Sequence, residues 1–279
     1  MLFIVPRIFN CDEDMSAQGL HRLIKLGSVV KVEVAFQMKI AGAMDLTGKA
    51  DLDRAVETFK RVAAQYNALG VDVSRPIVLV VENLPIMGAT EPAGDAFRLH
   101  IGVQAMSSGM LDGLIAHEVG HMYRIQQGHP SHSADVHGRL LSSVGVRGKG
   151  GGEFLAVARL ALNHVEDIYA DDLAFDVIGS ERARMFFTDW IRRSTVSRGK
   201  RWETVANEVT VAFGLGNMER HGVQPEDIVL RETREFSGKA GLNLLPKLVA
   251  AYRDLPKTGD VETAIRELLI DVRDEGVGR

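Results

Sequence analysis

The sequence predicts an α+β fold in which a small sheet near the N-terminus is followed by a long run of helices. Between residues 28 and 105 the chain alternates or runs apolar in short, strand-like stretches. From residue 107 onward the apolar residues recur with helical spacing, and strands followed by helices are the pattern of this class. The first of those helices carries the pentapeptide HEVGH at 117–121.

At 279 residues, 46% hydrophobic and 25% charged, the chain is expected to be soluble and globular, with one large domain or two small ones. A net charge of -4 excludes a general attraction for nucleic acid or anionic membranes. Cys11 is the single cysteine, so no intramolecular disulfide forms and a metal site must use histidine and carboxylate ligands. The opening MLFIVPRIF breaks at Pro6 and Arg7, lacks a charged leader and small-residue cleavage site, and no later stretch reaches the ~18 apolar residues of a membrane span. A cytoplasmic protein is expected.

In chain order, SVVKVEVAFQMKI alternates, with Val30, Val32, Val34, Phe36, Met38 and Ile40 on one face, and reads as a half-buried strand. DLDRAVETFKRVAAQYNALG reads as a helix stopped at Gly70. RPIVLVVEN reads as a strand buried on both faces, and MGATEPAGDA as Gly and Pro punctuation. FRLHIGVQA alternates Phe97, Leu99, Ile101 and Val103 against Arg98, His100 and Gln104, as a strand at a sheet edge would. SSGMLDGLIAHEVGHMYRI is helical, with Ser107 or Ser108 as its cap.

At 100° per residue, Leu111, Leu114, Ile115, Met122 and Ile125 gather on one side of this helix, while His117 and His121 share a flank one turn apart. Glu118 falls between the two. Histidines at i and i+4 can direct neutral ring nitrogens at one tetrahedral zinc ion, and the glutamate after the first of them can take a proton from water activated there.

Downstream, ALNHVEDIYADDLAFDVIG reads as a second helix in which Asn163, Glu166, Asp167 and Ala170 form one polar or small stripe. Its acidic residues between 166 and 172 are costly against a core unless cations neutralise them, and a solvated acidic face is the alternative.

IAHEVGH and EDIYADDLA together resemble the gluzincin branch of zinc metallopeptidases over roughly positions 76–178, with similarity to the catalytic core of HtpX-type peptidases and, lacking membrane helices, to soluble minigluzincins. The resemblance implies a zincin-like core with a small mixed sheet, His117 and His121 as zinc ligands, Glu118 as general base, and a third ligand from the acidic helix. In one register Asp167 is that ligand and Asp171 orients a histidine; in the other it is Glu166, with Asn163 as neighbour, which its longer side chain favours. The resemblance also implies a sheet edge beside the metal for an extended peptide, the role FRLHIGVQA would fill. Tyr123, Tyr169 and His221 are candidates for stabilising an oxyanion, with a structural or surface role as the expected reading of each.

HPSHSADVH supplies His129, His132 and His137, read as a solvated loop with a second metal as the alternative. GVRGKGGGEF fails the phosphate-loop pattern because Lys149 precedes glycine, and reads as a lid or linker. RRSTVSRGKRW, with Arg192, Arg193, Arg198, Lys200 and Arg201, reads as an exposed loop with nucleic-acid contact as the alternative, and His164 as a helix-surface histidine. The expectation is therefore a zincin-like domain over 1–180 and a helical C-terminal region over 181–279, acting as a zinc metallopeptidase on peptide or protein substrates. Hydrolysis of a non-peptide amide and a non-catalytic zinc-binding regulatory role are the alternatives.

Overall fold

The computed structural model describes residues 38–145, 150–195, 200–240 and 244–277. Of the strand expected over 28–40, residues 28–37 lie outside the described residues, as do Cys11, Lys149 and Arg198. Ten helices and a four-stranded mixed sheet make the described chain α+β and mostly helical, and none of its helices is long and apolar enough to cross a membrane. It divides into two compact units, one ending at Gln127 and one beginning at Gly128, whereas the sequence reading placed the division at 180.

The first unit carries the sheet. Strand β1 (Ile40–Asp45) leads into α1 (Leu52–Ala68), then β2 (Ile77–Glu82), β3 (Gly88–Ala93), β4 (Ala96–Gly102), a short α2 (Val103–Ser107) and α3 (Leu111–Gln126). Asp51 caps α1 by accepting from the Arg54 N–H, and Gly70 follows its end at φ +73°, as the sequence signals require. The strand order is β1-β2-β4-β3, with β1, β2 and β4 parallel and β3 antiparallel to β4. Ile77, Leu79 and Val81 of β2 and Phe97, Leu99 and Ile101 of β4 share one fully buried face.

Two strand expectations need correction. MGATEPAGDA is not mere punctuation, because it contains β3, and Gly94 at φ +62° makes the two-residue turn into β4. Pro92 is tolerated because β3 is an edge, where a missing N–H breaks no second ladder. FRLHIGVQA is consequently not the edge: β4 pairs on both sides, and the chain turns helical at Val103. Its alternation has another cause. Arg98 and His100 on the polar face are neutralised by neighbouring strands, His100 lying between Glu82 and Glu91, with Glu91 3.2 Å from Arg98.

The second unit is helical: a 3-10 turn (Pro130–His132), α4 (Ala134–Val144), α5 (Gly151–Ile178), α6 (Ser180–Ser194), α7 (Arg201–Arg220), α8 (Asp227–Ala240), α9 (Leu245–Arg253) and α10 (Val261–Val277). Helix α7 is its axis, packed by α5, α6, α9 and α10 and buried from Glu208 to Met218. A Cβ at Gly216 would come within 2.7 Å of the Val249 carbonyl, so glycine there sets how closely α9 approaches.

Glu208 is fully buried in α7, and neither carboxylate oxygen has a hydrogen bond. Burial, reinforced by the charge of Glu275, pushes its pKa up to about 7 from 4.5. The folded state therefore holds a proton that the unfolded chain releases, and this group's contribution to stability falls as pH rises from 4.5 through about 7. Glu208→Gln is expected to remove that slope and raise stability at pH 8 by roughly 2 kcal/mol, read from urea unfolding at pH 5 and pH 8. Identical pH profiles for variant and wild type would refute this.

Candidate metal centre

Helix α3 packs on α1 and along β3. The Tyr66 hydroxyl of α1 donates to the Ala116 carbonyl at 2.7 Å, and the Thr90 hydroxyl of β3 donates to the Glu118 carbonyl at 3.3 Å. A Cβ on Gly88 would lie within 2.9 Å of Leu114, so glycine there lets the edge strand run close to the helix. The caps differ from expectation: α3 begins at Leu111 behind Met110, whose N–H reaches the Ser108 hydroxyl at 3.2 Å, while Ser107 ends α2. FRLHIGVQA turns helical before its expected end, which moves both serines out of the capping position.

Anchored in this way, α3 presents His117 and His121 from successive turns, both half-buried. Their Nε2 atoms are 3.0 Å apart and their rings nearly perpendicular, at 84°. Two nitrogens bound at ~2.0–2.1 Å across a tetrahedral angle stand about 3.3 Å apart, so a small opening movement separates this pair from a two-imidazole chelate. Glu118, between them in sequence, is buried.

In the second unit, Glu166 and Asp167 lie half-buried on α5. Glu166 Oε1 is 3.5 Å from His137 Nδ1, and Asp167 Oδ2 is 3.5 Å from His164 Nδ1. The rest of the acidic run is hydrogen-bonded within the fold rather than left on a solvated face. Asp171 accepts from the Asn217 amide at 2.6 Å, both residues being buried. Asp172 takes the Arg220 guanidinium at 2.6 and 2.8 Å and lies 3.3 Å from His221 Nε2. Asn163, the neighbour expected beside Glu166, shares that helix.

Other expectations change with the geometry. His164 is not a surface histidine: it is 1% exposed and stacked on Phe213. HPSHSADVH is not a loop, because His129 caps the 3-10 turn and Ser133 caps α4. Two oxyanion candidates have structural partners, as their expected structural role requires: the Tyr169 hydroxyl donates to Pro256 O at 2.7 Å, and His221 stacks on Phe175 with Nδ1 2.8 Å from Asn217 O. In the basic stretch Arg192, Arg193 and Arg201 each meet a carboxylate, of Glu232, Asp189 and Glu275. Of the glycine-rich stretch, Gly145, which ends α4, and the residues from Gly150 onward are described, with Gly150 preceding α5.

Among the described residues there are His, Asp and Glu groups that could hold a metal ion, and His117, His121, Glu166 and Asp167 all take part in them. So does His132, which the sequence reading did not assign to the zinc set. Its signal is its Ser-His setting: the buried Ser131 hydroxyl lies 2.8 Å from His132 Nδ1, the kind of contact that orients a ligating imidazole.

A model described as a family of unknown function (DUF5781) matches residues 55–274. The chain belongs to the DUF5781 family. The matched region of this DUF5781 chain includes the HEVGH helix and the acidic helix, so every candidate ligand falls inside it. No curated protein and no solved structure matches the chain.

Proposed function

We propose that the chain is a zinc-dependent metallopeptidase of gluzincin type, acting in the cytoplasm on peptide or protein substrates. The observation that carries this reading is the His117–His121 pair, with Nε2 atoms 3.0 Å apart on a helix that also bears the buried Glu118. A carboxylate of α5, Glu166 or Asp167, completes the ligand set in this reading. A zinc ion there supplies Lewis acidity, lowering the pKa of water and polarising a carbonyl. Glu118 takes the proton from the attacking water and passes it to the leaving amine nitrogen.

The antiparallel edge strand β3 supports a peptide substrate in particular. It runs along α3, and an extended peptide can add to such an edge by main-chain hydrogen bonds. The corrected strand order places that edge in GATEPA rather than in FRLHIGVQA.

The test is to incubate the zinc-loaded protein with a mixed peptide library and read new termini by mass spectrometry. Cleavage that a chelator abolishes and added zinc restores is expected. Zinc-loaded protein that cleaves small amides but no peptide would overturn the peptidase reading in favour of a non-peptide amidase.

A further inference from the structure

Among the described residues β3 is held to the sheet by β4 alone, yet α3 leans on it at Thr90 and Gly88. Whatever fastens β3 besides its main chain therefore bears on the helix that carries HEVGH. A side-chain group on the polar face of the sheet spans β2, β4 and β3.

Val80 of β2 and Ala89 of β3 stand directly opposite His100, and the glutamates lie one diagonal step away, Glu82 on β2 and Glu91 on β3. The ring bridges them: Nδ1 meets Glu82 Oε1, and Nε2 lies 3.2 Å from Glu91 Oε1. Ionised carboxylates only accept, so a ring that faces one at each nitrogen must donate from both, which only the imidazolium does. No lone pair is left for a metal or a substrate, so the group acts between strands. Burial works against the charge, yet Glu91 and then Glu82 hold the ring's pKa above the usual 6.5. His100 in turn keeps Glu91 below the usual 4.5 against its own burial, with help from Arg98.

We propose that His100 is a protonation-dependent clamp on the edge strand, tying β3 at Glu91 to β2 at Glu82 as the imidazolium and releasing Glu91 when it becomes neutral. A neutral ring keeps one N–H. Glu91 retains Arg98 at 3.2 Å, whereas Glu82 has no other ion pair among the described residues, so the remaining proton stays with Glu82. The clamp is complete below 6.5 and is lost as pH rises through the raised pKa of the folded state. β3 then opens more often, and α3 loses its support during each opening. The clamp lies wholly in the first unit and does not depend on zinc or on peptide cleavage.

The His100 ring is titrated by NMR in the full-length protein, and exchange of the β3 amides is followed by mass spectrometry from about pH 5.5 to about pH 9, corrected for the intrinsic rate. The ring is expected to titrate above 6.5. β3 is expected to open about 3–10-fold more often at the alkaline end while α1 is unchanged, an effect between that of an exposed ion pair and that of a charged hydrogen bond. Glu91→Gln is expected to lower the ring's pKa and flatten the β3 profile. Because this variant mimics the released strand, each unit of that lowering corresponds to a tenfold change in the wild-type opening. A ring that titrates at or below 6.5, β3 exchange that follows α1 across the range, or a Glu91→Gln profile as steep as the wild type's would overturn the clamp. Should the variant fail to fold, the two wild-type measurements decide by themselves.

Discussion

Arg220→Ala is expected to destabilise the second unit by about 3–5 kcal/mol, the cost of leaving a buried charge without its partner. Arg220 and Asp172 are only 4% and 6% exposed in their side chains, and the guanidinium meets the carboxylate through two bonds, at 2.6 and 2.8 Å. Its third nitrogen donates to the Arg253 and Leu255 carbonyls at 2.9 and 2.6 Å, tying α7 to the end of α9. Removing the side chain therefore strands one carboxylate and two carbonyls together. Burial works against the charged form of Asp172, yet Arg220 and then His221 hold it well below the usual carboxylate range. A depressed folded pKa contributes stability above the unfolded value of 3.8, and that contribution is lost as pH falls through the folded pKa.

For a unit of this size the loss corresponds to a Tm lower by roughly 6–20 °C. Calorimetry of wild type, Arg220→Ala and the double variant Arg220→Met, Asp172→Leu gives the comparison. The double variant is expected to recover most of the loss, since an apolar pair of similar volume leaves nothing charged in the core. A single variant that melts within a degree of wild type would show that solvent reaches Asp172 and that the pair is dispensable.

Glu118→Gln is expected to lower peptide turnover about 10²–10⁴-fold while the bound zinc stays at the wild-type level. The amide keeps the shape and burial of the side chain but cannot accept the proton that the attacking water must lose. The Thr90 contact is to the backbone carbonyl of this residue, so the substitution leaves the link between β3 and α3 in place. Turnover is read with the best peptide from the library and zinc by metal analysis of the same sample. A variant as active as wild type would take the general-base role away from Glu118.

Much of the first unit was legible because its pattern is local. The cap at Asp51, the stop at Gly70 and the apolar run of β2 each follow from a few adjacent residues. β3 was not legible: GATEPA has a proline and small residues in place of apolar alternation, and only its pairing with β4 makes it a strand. The same long-range fact turned β4 from an edge into an interior strand, its polar face satisfied by Glu82 and Glu91 on neighbouring strands.

The division after Gln127 left only a helix-stop signal, Gly128 at φ +62°. For the candidate site, the spacing of His117 and His121 on a helix was enough to predict their convergence. The company of the carboxylates was not: Asn217 and Arg220 stand some 46 to 48 residues from Asp171 and Asp172, and Thr210 stands 46 from His164. Contacts across that separation come from the packing of α5 on α7, which periodicity alone does not specify.

The measurement that bears most directly on the central claim is the zinc content of the purified full-length protein beside His117→Ala and His121→Ala. About one zinc per wild-type chain, lost in both variants while the melting transition remains, is the result expected of a ligand pair. A wild type that holds no zinc after reconstitution, or variants that hold as much as the wild type, would contradict a metal centre at HEVGH.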